Sequence, residues 1–319
     1  MINVVAAIIQ KNDTYLCARR KSGSHLAGFW EFPGGKIEVN ESHSEALQRE
    51  LNEELHIDVS VEDFVGQSTY DYDGKVVRLF AYLCDWHSGE ITLNDHDSIE
   101  WLPLDRMQDL KWAPADIPLI FQLSTYMYYA DSAQSYSDET ISHEMNGKYD
   151  LFIESVVPQG TILDLGCGSG RDSIYFKKEG FEVTAIDPVS SMAKVAAKNI
   201  GAPVEIKSSY ILDGLGQFDG IWACASLLHC PKSEIVFALE NILERLKYDG
   251  VAYLSVKKGE GEGLDEKGRF FSYFEENELL GILDHTSMPI THEIWQDSSE
   301  LRGQQQVWIN ILIRKIKDD

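Results

Sequence analysis

Residues 161–187, TILDLGCGSGRDSIYFKKEGFEVTAID, decide the fold of the larger part of the chain. TILDLG reads as an apolar strand, 172–180 as a helix and FEVTAID as a second strand. Between the first strand and the helix stand Gly166, Gly168 and Gly170. Glycine lets a backbone turn sharply and come close to a ligand. Working outward, the alternation continues through a helix at 190–199, VEIK at 204–207, FDGIWACAS at 218–226, a helix at 232–247 and VAYLSVK at 251–257. That order predicts a parallel, doubly wound α/β sheet. ITHEIWQD at 290–297 and QQVWINILIRK at 305–315 predict a terminal antiparallel hairpin. Such a sheet takes its ligand at the carboxyl ends of the strands, where the strand order reverses. Asp187 stands at one such end, where a carboxylate can accept both hydroxyls of a ribose. The G-x-G-x-G spacing differs from the dinucleotide G-x-G-x-x-G, but a glycine loop alone leaves the ligand open.

Upstream the texture changes. YMYYADSAQSYSDET at 126–140 is aromatic and polar, without a strand pattern. It places a domain boundary near residue 125, giving domains 1–125 and 126–319. Before it, NVVAAII (3–9) and TYLCARR (14–20) read as a hairpin, as do 64–72 and 75–86 about Asp73-Gly74. Residues 41–55 lack Gly and Pro, and Ala46, Leu47, Leu51 and Leu55 recur at helical spacing, with Asn40 as the expected N-cap. WLPL (101–104) is a short apolar element, and PADIPLIFQL (114–123) begins another helix.

The chain has 28 Lys+Arg against 52 Asp+Glu, a formal charge of −24. The acidic excess runs through both domains, so there is no basic footprint for a long nucleic acid or an anionic membrane. Five cysteines without metal-ligand spacing predict reduced thiols in a cytoplasm. The first residues lack the pattern of a signal peptide, and no apolar run reaches the roughly 20 residues of a membrane span.

Glu50, Glu53 and Glu54 fall at i, i+3 and i+4 of the predicted helix, on one face. In so acidic a chain, three such carboxylates are most simply a solvated face. A hard divalent cation would remove their repulsion, and carboxylate oxygens are what Mg²⁺ or Mn²⁺ prefers. The wider spacing is more specific: Gly35, five residues, Glu41, seven residues, then Arg49-Glu50-Leu51-Asn52-Glu53-Glu54, Leu55 and Ile57. This spacing resembles the Nudix box. AGFWEFPGGK (27–36) and APADIP (113–118) resemble its MutT-like branch, which clears oxidised deoxyguanosine triphosphate or hydrolyses cytidine triphosphates. The resemblance covers roughly residues 1–125 and implies a mixed sheet flanked by helices. It implies cleavage of a nucleoside triphosphate to monophosphate and pyrophosphate by metal-bound water.

On that resemblance Glu50, Glu53 and Glu54 are catalytic and hold Mg²⁺ or Mn²⁺, joined by the Gly34 carbonyl and Glu41. Arg49 orients carboxylates. Arg20 and Lys36 are candidates for phosphate, and Asp95 for substrate. Asp116 stands where the family reads the base. As an ionised acceptor it suits either the cytosine amino group or the N–H donors of oxidised guanine. His56 departs from the box, which has Gly there, and puts the helix C-cap in question.

The second domain is similar to class I methyltransferases that use S-adenosylmethionine, in their Rossmann-like small-molecule branch with the tellurite-resistance enzymes. The resemblance rests on 164–170, Asp187, DGIWACASLLHCPKSE (219–234), LKYDGVAYLSVKKGEGEG (246–263) and GRF (268–270). It implies that Asp164, Gly166, Gly168, Gly170 and Asp187 bind the cofactor. IKSSY (206–210) lacks the acidic residue that many relatives use for the adenine amino group, so a backbone contact or one from Ser208 or Ser209 must substitute. His229 is expected to support the cofactor, and Cys167 to be small, apolar filling. Tyr128, Tyr129 and Tyr136 could close over the cofactor, and Arg269 could hold an anionic substrate. The whole reads as a bifunctional enzyme with small-molecule substrates. The alternative is that the first domain is a nucleotide-binding regulator of the second.

Overall fold

A computed structural model describes residues 1–145, 147–301 and 304–317. The chain divides into two compact units, Met1–Ser124 and Thr125–Asp319.

The first unit holds β1 (Ile2–Lys11), β2 (Thr14–Arg20), β3 (Trp30–Glu31), β4 (Gly34–Lys36), α1 (His43–Leu55), β5 (Ile57–Tyr72), β6 (Lys75–Gly89) and β7 (His96–Leu102). The strands form a mixed sheet in the order β3-β2-β1-β6-β5, with β4 on β1 and β7 on β2. β1 runs parallel to β6, and β5 and β6 form the hairpin at Asp73-Gly74. Asp73 and Gly74 both have positive φ, 53° and 90°, as that tight turn requires. Helix α1 buries Ala46, Leu47, Leu51 and Leu55 against Val5, Ala7 and Ile9 of β1 and Phe80 of β6.

One expectation needs correction here, and one stretch gains a definite structure. The N-cap of α1 is Ser42, not Asn40. The Ser42 hydroxyl accepts from the Glu45 backbone N–H, and the Glu45 carboxylate accepts from that of Ser42. This reciprocal pair satisfies two otherwise orphaned donors, which Asn40 cannot do from two residues further out, where its φ is +65°. The stretch 126–140 is helical, since α2 runs through Ile117–Thr140. At the other end of α1, His56 forms the left-handed C-cap at φ 59° and ψ 35°, its N–H reaching the Asn52 carbonyl.

The second unit holds α3 (Lys148–Ile153), β8 (Thr161–Leu165), α4 (Arg171–Lys178), β9 (Glu182–Ile186), α5 (Ser190–Ile200), β10 (Phe218–Cys224), α6 (Ile235–Arg245), β11 (Leu246–Lys257), β12 (Glu262–Leu264), β13 (Phe270–Ser272), α7 (Glu276–Leu283), β14 (Ile290–Leu301) and β15 (Gln304–Lys315). The sheet order is β14-β15-β11-β10-β8-β9. β9, β8, β10 and β11 are parallel, and the β14–β15 hairpin adds antiparallel to β11. Successive residues feed opposite faces, as the pleat demands. Ile221, Ala223, Ala252 and Leu254 pack with Leu239, Ile242 and Leu243 of α6. Trp222, Val251 and Tyr253 pack with Phe152 of α3 and Phe176 of α4. VEIK makes only an isolated bridge, Glu205 beside Ile186. The chain leaves β8 for β9 on one side and reaches β10 on the other, so the reversal lies at the carboxyl end of β8. Among the described residues no helix is long and apolar enough to cross a membrane.

Candidate active sites

In the first unit, β4 and α1 bring the acidic residues together. Gly35 lies so close to Glu50 that a Cβ there would meet its carboxyl carbon at 2.0 Å. A Cβ on Gly34 would meet the Val5 carbonyl oxygen at 2.0 Å. Only glycine lets this loop pass between β1 and the Glu50 carboxylate. Arg49 donates to both Glu41 oxygens at 2.8 and 2.9 Å and to the Lys36 carbonyl at 3.0 Å, and its remaining nitrogen is 2.9 Å from Glu50 Oε1. Glu53 is largely exposed, 3.7 Å from the same guanidinium. The hydrogen bonds from Arg49 pull the Glu41 pKa down to about 2.

Glu54 behaves oppositely. Burial, with the charges of Glu31, Glu50 and Asp95, pushes its pKa up to about 8. Its Oε2 is shut away from solvent with no hydrogen-bond partner. A buried carboxylate oxygen without a donor, among like charges, suits a hard cation that this set of oxygens would hold. As they stand, no three acidic, His or Cys side chains among the described residues are arranged to hold a metal ion.

The remaining expected residues are mostly committed to neighbours. Arg20 pairs with Glu31 at 2.7 Å and donates to the His25 carbonyl. Asp95 pairs with Lys21 at 2.6 Å. Lys36 leaves its side chain exposed. Asp116 is 4% exposed and accepts from the Phe32 N–H at 2.9 Å. Burial and the Glu31 charge raise its pKa well above the ordinary range. A carboxyl so placed takes a proton more readily than an exposed one, and its protonated form donates as well as accepts.

Three residues escaped the sequence reading. Glu31 joins Arg20 to buried His96, whose Nε2 is 2.9 Å from Glu31 Oε1. Asn94 donates its side chain to the Glu53 carbonyl at 2.7 Å and its N–H to the Glu54 carbonyl at 3.1 Å. It thereby caps the end of α1 that carries the carboxylates. Asn94 and His96 flank Asp95, and Glu31 lies within the FWEFPGG segment, but only tertiary contacts give them work.

In the second unit the loop after β8 turns on Gly166, Gly168 and Gly170, with φ of 74°, 54° and 80°. A Cβ at Gly166 would meet Ser226 Oγ at 2.3 Å, and one at Gly170 would meet Ile200 at 2.7 Å. Asp187 accepts from Gly168 N–H through Oδ2 and from Val189 N–H through Oδ1, each at 3.0 Å. One carboxylate thus ties the glycine loop to the end of β9. Asp164 is buried and accepts from Ser173 Oγ at 2.5 Å. Burial and the nearby Asp172 raise its pKa. Asp172, not foreseen, gathers Arg171, Tyr149 and Trp222 Nε1.

Tyr136 reaches the loop: its ring is 3.7 Å from where a Gly168 Cβ would lie. Tyr129 packs edge-on between Tyr136 and Tyr128, each 5.2 Å away. It also lies 2.9 Å from His229 Nε2. His229 Nδ1 is 2.6 Å from the Phe270 carbonyl, so both ring nitrogens are engaged by protein. Burial lowers its pKa to about 4 and keeps the ring neutral. Its partners place it behind Tyr129 as a support. Ser208 Oγ accepts from the Tyr210 N–H, and Ser209 gives its carbonyl to Asn241. Cys167 is buried. The positive-φ loop, with room beside Gly168 and Asp187 at its edge, suits a nucleoside-bearing cofactor.

Comparison with known proteins finds a match for each domain. The NUDIX domain profile matches residues 1–123, and a methyltransferase domain profile matches 162–250. The CTP pyrophosphohydrolase of Escherichia coli (strain K12) is 40% identical over 121 residues, covering 38% of this chain and 89% of that protein. The 8-oxo-dGTP diphosphatase of Proteus vulgaris is 37% identical over 92 residues, covering 28% of this chain and 82% of that protein. The Burkholderia thailandensis 1,6-didemethyltoxoflavin-N1-methyltransferase, solved with S-adenosylhomocysteine, shares the fold of the second part. Its TM-score is 0.52 at 22% identity, over 64% of this chain and 93% of that one. The chain belongs to the Nudix family through its first domain, a Nudix hydrolase domain, and carries a methyltransferase domain in its second.

Proposed function

We propose that residues 1–125 hydrolyse a nucleoside triphosphate to monophosphate and pyrophosphate, and that residues 126–319 transfer a methyl group from S-adenosylmethionine to a small molecule. The observation that carries the first half is Glu54 Oε2, buried and unpartnered among the charges of Glu31, Glu50 and Asp95. Glu50, Glu53 and Glu54 would hold Mg²⁺ or Mn²⁺ with the Gly34 carbonyl. The metal supplies a polarised phosphate and an activated water. Arg49 fixes the carboxylates, Lys36 remains the exposed cation for phosphate, and Arg20 acts by holding Glu31.

The relatives named for CTP and for 8-oxo-dGTP suggest the substrate class. The environment of Asp116 favours the cytosine ring. A neutral carboxyl accepts from the amino group at C4 and donates to N3, a complementary pair.

In the second domain, Asp187, Asp164 and the three loop glycines would bind the cofactor, with Ser208 near the adenine side and Tyr136 against the loop. The cofactor supplies an electrophilic methyl group. A regulatory first domain is the weaker reading, because a nucleotide sensor gains nothing from carboxylates that repel one another. The five free cysteines and the −24 charge support a cytoplasmic protein without long nucleic-acid or membrane partners.

The test is pyrophosphate release from canonical and modified nucleoside triphosphates with Mg²⁺, for the wild type and Glu53→Gln. Turnover of one nucleotide class, lost in the variant, is expected. Binding without turnover across the panel overturns the hydrolase reading.

A further inference from the structure

Lys257 closes β11 half-buried; among the described residues it makes no direct ion pair, and the acidic charge it feels is that of Asp265 at longer range. Its ammonium lies 3.5 Å from the ring centre of Phe271. The Arg269 guanidinium is 5.0 Å from the same ring and 5.0 Å from that of Tyr128. Arg269 shares its charge with Asp265, at 2.6 and 3.0 Å. The neutral His229 ring packs on Phe271 at 4.7 Å. Two cations against one carboxylate leave a net positive charge, half-buried, in a chain of formal charge −24.

Burial and the neighbouring Arg269 charge lower the Lys257 pKa to about 8. Stacking on Phe271 offsets part of that cost, but a ring quadrupole is a weak substitute for an anion. The cluster is also continuous with the glycine loop. Gly168, Tyr136, Tyr129, His229 and Phe271 form an unbroken run of contacts ending at Lys257.

We infer that Lys257 and Arg269 form the acceptor subsite of the methyltransferase domain, and that it takes an organic acceptor bearing a carboxylate or phosphate. The partly exposed Tyr128 ring beside Arg269 suits the organic part, buried Phe271 holds the cations from behind, and the net positive charge suits the anion. This rests on the methyltransferase reading above and gives its acceptor a chemical class.

The test uses the full chain, labelled with ¹³C-lysine and saturated with S-adenosylhomocysteine. Calorimetry of that saturation tests the cofactor reading separately. The Lys257 Cε signal, identified by its loss in Lys257→Met, is followed while benzoate, phenyl phosphate or neutral benzamide is added. Saturable movement with benzoate or phenyl phosphate is expected, and whichever anion binds more tightly names the acceptor's group. Benzamide should leave the signal in place. By the same signal Arg269→Gln should weaken anion binding about tenfold or more, as for a lost charge-assisted contact, and Lys257→Arg, followed by calorimetry of the anion instead, should retain most of it. Protein that binds S-adenosylhomocysteine but shows no saturable anion response, or answers benzamide equally, overturns the inference. Anion binding without S-adenosylhomocysteine binding would support the anion site and overturn the cofactor reading.

Discussion

Arg49 grips Glu41 by both carboxylate oxygens, at 2.8 and 2.9 Å, while its third nitrogen stands 2.9 Å from Glu50. The planar fork thus spans two carboxylates, Glu41 and Glu50. A lysine carries the charge but cannot make the fork. Arg49→Lys should therefore lower kcat for pyrophosphate release about 10- to 100-fold, as for other groups that orient metal ligands. The Mg²⁺ concentration needed should rise, with little change in nucleotide KM. An unchanged Mg²⁺ dependence would show that Arg49 does not set the carboxylates.

Glu54 is expected to trade stability for function. Its carboxylate is buried among Glu31, Glu50 and Asp95 with one oxygen unpartnered. Neutralising it removes repulsion, so Glu54→Gln should raise the metal-free Tm of the first domain by about 2–4 °C, equivalent to roughly 1 kcal/mol. The same variant should lose turnover and most of the Tm gain that Mg²⁺ gives the wild type. Calorimetry in EDTA and in Mg²⁺ distinguishes the two effects. A variant less stable than wild type in EDTA would contradict the repulsion argument.

The contrast between Glu54 and His96 shows what the sequence could and could not convey. Helical spacing alone places Glu50, Glu53 and Glu54 on one face, so the carboxylates were legible. So were the strand–loop–helix at Asp164 and the terminal hairpin, since each is local. The Ser42–Glu45 cap was also written in the sequence, as Ser-x-x-Glu ahead of an apolar run, and Asn40 was the wrong choice from it. His96 could not be read: its link to Glu31 spans 65 residues and depends on β7 pairing with β2. The support of His229 by Tyr129 spans 100 residues and depends on how α2 meets the sheet. Likewise the raised pKa of Asp116 comes from burial and the Glu31 charge, which no spacing states.

For Asp116 the amide is the informative substitution. Asn has the shape of a neutral carboxyl, with one acceptor and a donor. If the neutral form reads cytosine, Asp116→Asn should keep CTP turnover within about tenfold of wild type, and Asp116→Ala should lose about 1–3 kcal/mol of kcat/KM. If an ionised carboxylate reads the N–H donors of oxidised guanine, Asn fails as badly as Ala. Comparing kcat/KM for CTP and 8-oxo-dGTP across the three proteins decides the question.

His229 gives the second domain a pH dependence whose sign can be worked out. Its pKa falls from 6.5 to about 4 because burial disfavours the charged ring. Between those values the unfolded chain binds the extra proton, so stability rises with pH across that window. The contribution is complete above about 6.5 and is lost as pH falls through about 4. At most it amounts to roughly 3 kcal/mol, or several degrees of Tm. Carboxylates titrate over the same range, so the wild type alone does not isolate it. His229→Gln does, because glutamine can still donate to the Phe270 carbonyl but does not titrate. In the transition that S-adenosylhomocysteine shifts, the wild type should lose more Tm between pH 6.5 and 4 than the variant. Equal slopes would mean that the ring accepts its proton without disturbing Tyr129, contrary to the buried pair at 2.9 Å.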